Sequence, residues 1–465
     1  MLELFAKVSS SIERVYICVD AVDELLPQDR SDFLRALRQI IQDAPNARLF
    51  LTGRPYIRRE LDDYIMEGSH VINIFADQGD IARYVGRKIG DDNARDPDLM
   101  TEDLKNDIMK TMLEKASEKQ LYSKFGSLIG ILRRLLLVAL NIEAILGESS
   151  LAMRKKMLKL VAATGVDLNS VYDQTLNRIR EQKGDRSRLG MEVLMWVSYS
   201  ERPLRVDELC HALAVEMGST DLDPENTRPQ DTVLASCLGL AVVDKETSTV
   251  RLIHYTLQEY LSRSSIFPDA HKTPGQTCLT YLNYRQVKGF PANSISNLRD
   301  MHFLEYSSLH WGDHAKIELS DQGKYLALEL LNRYDHHITA TLLLNQIHRY
   351  DFSWLTHHLY TGLHCASYFG IDEVVAALMD MKGCDINLGD CMGFTPVVWA
   401  ARQGNQGAMR LLLTREEVDS EKPDNDGQTP LRRASWNGHE GVVKLLLSRG
   451  EVNPDKPNNY GQTPF

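Results

Sequence analysis

The residues with the clearest capacity for chemistry are Asp20, Asp23 and Glu24, which follow the apolar run Val15-Tyr-Ile-Cys-Val19. A buried strand ending in acids is the Walker B arrangement. Asp20 would orient a magnesium ion through water, and Asp23 or Glu24 would polarise the attacking water. The same acids would equally suit a strand that ends by capping the next helix. What must position them can be read downstream. Residues 27–43 place Phe33, Leu34, Leu37, Ile40 and Ile41 on one face at helical spacing. Arg48-Leu-Phe-Leu51 then reads as a second strand, ending in Thr52-Gly53-Arg54-Pro55. The order strand, helix, strand implies a parallel sheet with ligands at the carboxyl ends of its strands.

Other reactive side chains are less pointed. His254 stands at the entrance of a helix in RLIHYTLQEYL, where it could cap that helix or pack in a core. Trp311 and His314 have no metal-binding partner at a recognisable spacing and read as core or helix-end residues. The seven cysteines are scattered and never spaced CxxC, so neither a disulfide framework nor a zinc site is expected. A reducing, cytoplasmic compartment fits this usage. A G-x-S-x-G elbow is absent, which leaves a serine hydrolase without support.

Further on, one spacing repeats. Thr361, Thr395, Thr429 and Thr463 are each 34 residues apart, as are Gly370, Gly404 and Gly438, and Leu378, Leu412 and Leu446. Asp385, Asp419 and Asn453 make another column. In each unit Thr caps a first helix and Gly ends it in the left-handed conformation, and Pro occupies the first turn after Thr395 and Thr429. A second helix buries residues such as Val442, Val443 and Leu446, and units must stack to cover that face. Thr429-Pro-Leu431 with Ala434, Thr395-Pro396 with Ala400, and Thr361-Gly-Leu-His364 with Ala366 resemble the ankyrin signature. About three units and a partial fourth are expected, close to the minimum for stability. His364 reads as a motif residue that satisfies a turn. For Trp399 and Trp436 core and contact roles both stay open. The array is expected to bind proteins and to continue beyond the chain or end frayed.

With that context, VYICVDAVDEL followed by RLFLTGRP resembles the NACHT-type signalling NTPases, in particular the nephrocystin-like group that precedes ankyrin arrays in filamentous fungi. The resemblance implies a Mg-ATP or Mg-GTP switch in which Arg54 reads the outer phosphate. It also implies that His254, in the winged-helix motif RLIHYTLQEYL, touches the diphosphate of bound ADP. The phosphate-binding loop G-x-x-x-x-G-K-[ST] is missing, and with it the backbone N–H groups and lysine that hold phosphate. The chain is therefore expected to begin inside the NTPase domain and not to hydrolyse ATP by itself. A nucleotide-independent adaptor and a non-functional piece of a full-length NTPase remain alternatives. The resemblance also allows an oligomer in the full-length form.

The fold class expected is multidomain, α/β plus mainly α. Residues 1–90 would be the last part of a P-loop-type parallel sheet, 91–185 a helical subdomain, 186–265 a winged helix, 266–355 a helical linker and 356–465 the ankyrin solenoid. Val71–Phe75 reads as a possible last strand of the sheet, and the winged helix would be built around 191–197 and 203–213, with 241–243 leading to a wing and 250–254 entering the next helix. The apolar stretch 128–146 contains Arg133, Arg134, Asn141 and Glu143, so a buried helix is expected rather than a membrane span. The net charge is -11 with acids and bases interspersed, which argues against a nucleic-acid surface.

Overall fold

The computed structural model describes residues 13–19, 22, 25, 27–44, 46–53, 57–65, 78–117, 128–163, 168–263, 266–290, 300–348 and 359–464. Two compact units divide the chain, residues 1–175 and 176–465, and each is taken by itself.

The first unit opens with β1 (Val15–Val19), α1 (Pro27–Asp43), β2 (Ala47–Leu51) and α2 (Arg58–Ile65). The strands pair in parallel, from Val15 opposite Ala47 to Val19 opposite Leu51, as the strand–helix–strand order predicts. One face of this pair, carrying Ile17, Val19, Leu49 and Leu51, packs on Leu34, Leu37 and Ile57. The other face exposes Tyr16 and Phe50. Buried Arg30 ties α1 to α2 through Glu60 with two hydrogen bonds of 2.5 and 3.1 Å.

Four helices follow: α3 (Gln78–Arg95), α4 (Glu102–Ser117), α5 (Leu128–Leu146) and α6 (Leu151–Ala163). Ile81, Val85 and Ile89 of α3 share one core with Leu104, Ile108, Val138, Ile142, Ile145, Leu158 and Val161. The apolar stripe of α3 faces α4 and α5, so this helix belongs to the same core. Arg154 is buried and its guanidinium meets Asp92 at 2.5 and 3.0 Å and the carbonyls of Leu146, Glu148 and Leu99. No helix among the described residues is long and apolar enough to cross a membrane. The expected strand at 71–75 lies outside the described residues.

The unit boundary falls within α7 (Leu168–Arg180). The second unit continues with α8 (Arg186–Tyr199), α9 (Val206–Ala212), α10 (Gln230–Ala235), the antiparallel hairpin β3 (Ala241–Asp244) and β4 (Thr249–Leu252), and α11 (Tyr255–Arg263). Fully buried Glu208 accepts from the Arg205 backbone at the start of α9 and pairs with Arg202 at 2.7 and 2.8 Å. The helices α12 (Lys272–Leu282), α13 (Arg285–Lys288), α14 (Leu304–Ile317), α15 (Asp321–Leu331) and α16 (Ile338–His348) come next. Trp196 of α8 makes edge contacts with Phe303 at 5.6 Å and Tyr306 at 6.1 Å, so α14 packs on the preceding subdomain through aromatic rings.

The repeats are three helix pairs: α17 (Gly362–Phe369) with α18 (Asp372–Met379), α19 (Pro396–Gln403) with α20 (Gln406–Leu413), and α21 (Pro430–Trp436) with α22 (Glu440–Leu447). Thr395 and Thr429 accept from the backbone N–H three residues on, and Gly404 closes α19 at φ 72°. The linker helices close the first end of this stack. Trp311 of α14 lies 5.3 Å from Phe369, and Lys316 donates to Asn405 at 2.8 Å. A Cβ on Gly312 would fall 2.1 Å from the Phe369 ring, so glycine is what allows this approach. An array expected to be marginal alone is therefore buttressed by the helices before it.

Candidate functional site

Three places were expected to carry function. At the first, the register pairs Val19 with Leu51, so both strands reach their carboxyl ends side by side. The Thr52 N–H donates to the Val19 carbonyl at 2.9 Å, and the Val22 N–H donates to the Thr52 carbonyl at 3.0 Å. Asp20, Asp23, Glu24 and Arg54 themselves lie outside the described residues.

At the second, His254 is half-buried immediately before α11. Its Nδ1 accepts from the Thr256 backbone N–H at 3.2 Å and lies 2.9 Å from the Thr256 hydroxyl. A side chain that accepts from the second residue of a helix is an N-cap. The capping role open at the sequence level is thus present, and the ring's Nδ1 is committed to it.

The third is the repeat surface. Asp390, Asp424 and Asn458 each turn one finger: the Oδ1 of each accepts from the backbone N–H groups two and four residues on, at 2.8–3.0 Å. Asp385, Asp419 and Asn453, the column read from sequence, cap the preceding turns by accepting from the N–H two residues on. His364 is fully buried, takes the Thr361 N–H on Nδ1 at 3.0 Å, and donates through Nε2 to the Leu388 carbonyl at 2.9 Å. Burial pushes its pKa down to about 4, so it stays neutral.

The two tryptophans part company. Trp399 is fully buried and donates its indole N–H to Asp390 at 2.9 Å, whereas Trp436 is 77% exposed. Trp436 lies against Arg432, whose guanidinium carbon is 5.8 Å from its ring. Together with Ser435 and the turn Gly461–Pro464 they line a cavity of about 530 Å³.

Arg432 and Arg433 were not singled out from sequence, although the 34-residue register could have found them. Arg432 stands 68 residues after His364 and does its work, reaching the next turn at Gln462 (2.7 Å) and the Thr463 carbonyl. Arg433 stands 34 after Trp399 and makes the same contact, to Asp424 at 2.5 and 2.8 Å.

Comparison with known proteins agrees with two of these regions. A family model for ankyrin repeats, in three copies, matches residues 363–458. One for the GPI inositol-deacylase winged helix domain matches residues 176–269. The chain therefore contains ankyrin repeats and a winged helix domain of that type. No curated protein matches it.

Proposed function

We propose that this chain is a docking scaffold of the NACHT–ankyrin signalling type, binding partner proteins through its repeats and retaining parts of a nucleotide switch without hydrolysing ATP by itself. The observation that carries the docking half is Trp436, a large aromatic held in water beside a cavity on a rigid stack. Buried tryptophan and arginine anchors dominate protein interfaces, and a protein leaving one exposed gains by covering it. The partner favoured is a protein that inserts an apolar side chain between Trp436 and the turn 461–464. For a partner isolated by affinity on the full chain, Trp436→Ala is expected to weaken binding at least tenfold while the melting temperature holds. Unchanged affinity would remove Trp436 from the interface.

The switch half is supported by the parallel β1–β2 pair, the side-by-side strand ends before Asp20 and Arg54, and the winged helix that follows the helical core. In that reading Asp20 holds the metal, Asp23 or Glu24 faces water, and Arg54 and His254 meet phosphate. A nucleotide-independent adaptor is favoured by one observation, the use of His254 Nδ1 as a helix cap. Melting with and without Mg-ATP or Mg-GTP separates the two, since a ligand that binds only the folded state raises the transition. ATP turnover that vanishes in Asp20→Ala would overturn the absence of hydrolysis.

A further inference from the structure

Three side chains converge where the winged helix meets the linker helices. Glu201 follows α8, His271 immediately precedes α12, and buried His314 lies on α14. One donor atom from each lies within 4.8 Å of the others. His271 Nδ1 and His314 Nδ1 are 3.1 Å apart, and Glu201 Oε1 is 4.0 Å from His314 Nδ1. Their positions, 201, 271 and 314, are too far apart in sequence for a spacing rule to find them, so only folding reveals the set.

We propose that Glu201, His271 and His314 form a binding site for a divalent ion of the zinc class, which fastens the winged helix to the helices carrying the repeats. Two imidazoles and a carboxylate are donors that zinc accepts. At a Zn–N distance of about 2.0–2.1 Å, tetrahedral ligands stand about 3.3 Å apart, close to the separation of the two Nδ1 atoms. Glu201 is exposed, so its carboxylate can close the remaining gap by rotation. Ligand imidazoles are characteristically oriented by a partner on their second nitrogen. His314 has one: Nε2 lies 2.9 Å from the Tyr306 hydroxyl, which also accepts the Glu201 backbone N–H at 3.1 Å. The Trp196 ring, 6.5 Å away edge-on, and the Tyr199 ring, 5.6 Å from His271, wall the site. Three protein ligands leave a fourth position for water on the exposed side.

The test uses the full chain, stripped with chelator and titrated with Zn²⁺ and, separately, Co²⁺. One equivalent of Zn²⁺ is expected to bind with a micromolar or tighter Kd, and Co²⁺ to give visible bands of a tetrahedral ion that Zn²⁺ displaces. The twelve other histidines and seven cysteines could bind metal weakly, so His271→Ala and Glu201→Gln decide the matter. Both positions are accessible enough to change without emptying the core, and metal-free far-UV circular dichroism of each variant should match the parent. Each is expected to weaken this equivalent at least tenfold and to abolish the zinc-dependent rise in melting temperature. Absence of a stoichiometric site, or affinity and spectra unchanged in His271→Ala, would overturn the proposal.

Discussion

The two units meet the same problem, fixing polar groups inside helical cores, with different chemistry. In residues 1–175 the interior is tied by arginine–carboxylate pairs, Arg30 with Glu60 and Arg154 with Asp92. Residues 176–465 keep such pairs too, Arg202 with Glu208 and Arg433 with Asp424, but add buried neutral histidines, Asp and Asn finger turns and aromatic rings packed edge-on. Thirteen of the fourteen histidines and all five tryptophans belong to the second unit; His70 is the one histidine before it. The choice of buried group sets how each unit should fail.

Acid should divide them most sharply. Burial lowers the pKa of both His337 and His364 to about 4. Between the ordinary histidine value near 6.5 and that folded value, the unfolded chain takes up a proton that the folded chain refuses, so stability falls as pH falls through this window. At pH 4.5 the two together should cost the second unit about 5 kcal/mol relative to pH 7. Carboxylates titrate near 4 in water, and the Arg30 hydrogen bond holds Glu60 lower still, so the first unit should keep most of its stability there. Urea melts followed by tryptophan fluorescence read only the second unit, while hydrogen exchange reads both. Coincident loss of the two units at pH 4.5 would break the distinction.

The converse test removes an anion from the first unit. Asp92→Ala strands the buried Arg154 guanidinium, and loss of one partner of a buried pair costs roughly 3–5 kcal/mol. Hydrogen exchange should quicken in 78–163 and stay unchanged in the repeats. A smaller and local effect is expected from Gly312→Ala, whose methyl must push against Phe369. Overpacking of this kind costs about 1–3 kcal/mol, and it should lower the fluorescence-detected midpoint of the second unit alone.

How much of this was legible in the sequence follows the range of the interactions. Repeats declare themselves because each unit restates the same local rules at a fixed offset, so Thr caps, Gly ends and the Asp385, Asp419, Asn453 column all align. The strand–helix–strand order also showed, since β1, α1 and β2 are set by periodicity within 40 residues. Arg154 with Asp92 was not legible: the partners are 62 residues apart and lie in different helices. The support that α14 gives the first repeat was equally hidden, because it rests on Trp311 meeting Phe369 through a gap that Gly312 leaves. Trp399 and Trp436 looked alike as letters. Their fates differ because Trp399 stands four residues into its unit, over Asp390, and Trp436 stands seven into its own, at the position where Arg402 lies in the unit before.

That last pair yields the finest test. Trp399→Ala would empty a fully buried site and leave Asp390 without its indole donor, a loss of about 3–5 kcal/mol in the second unit. Trp436→Ala removes a ring that water already surrounds, and surface changes of this sort stay within about 0.5 kcal/mol. If the exposed ring exists for a partner, the order must invert in a binding measurement: a correctly folded Trp436→Ala chain loses affinity, whereas a conservative Trp399→Phe chain, refolded and stable, keeps it. Equal affinity for both variants would place the docking face elsewhere on the stack.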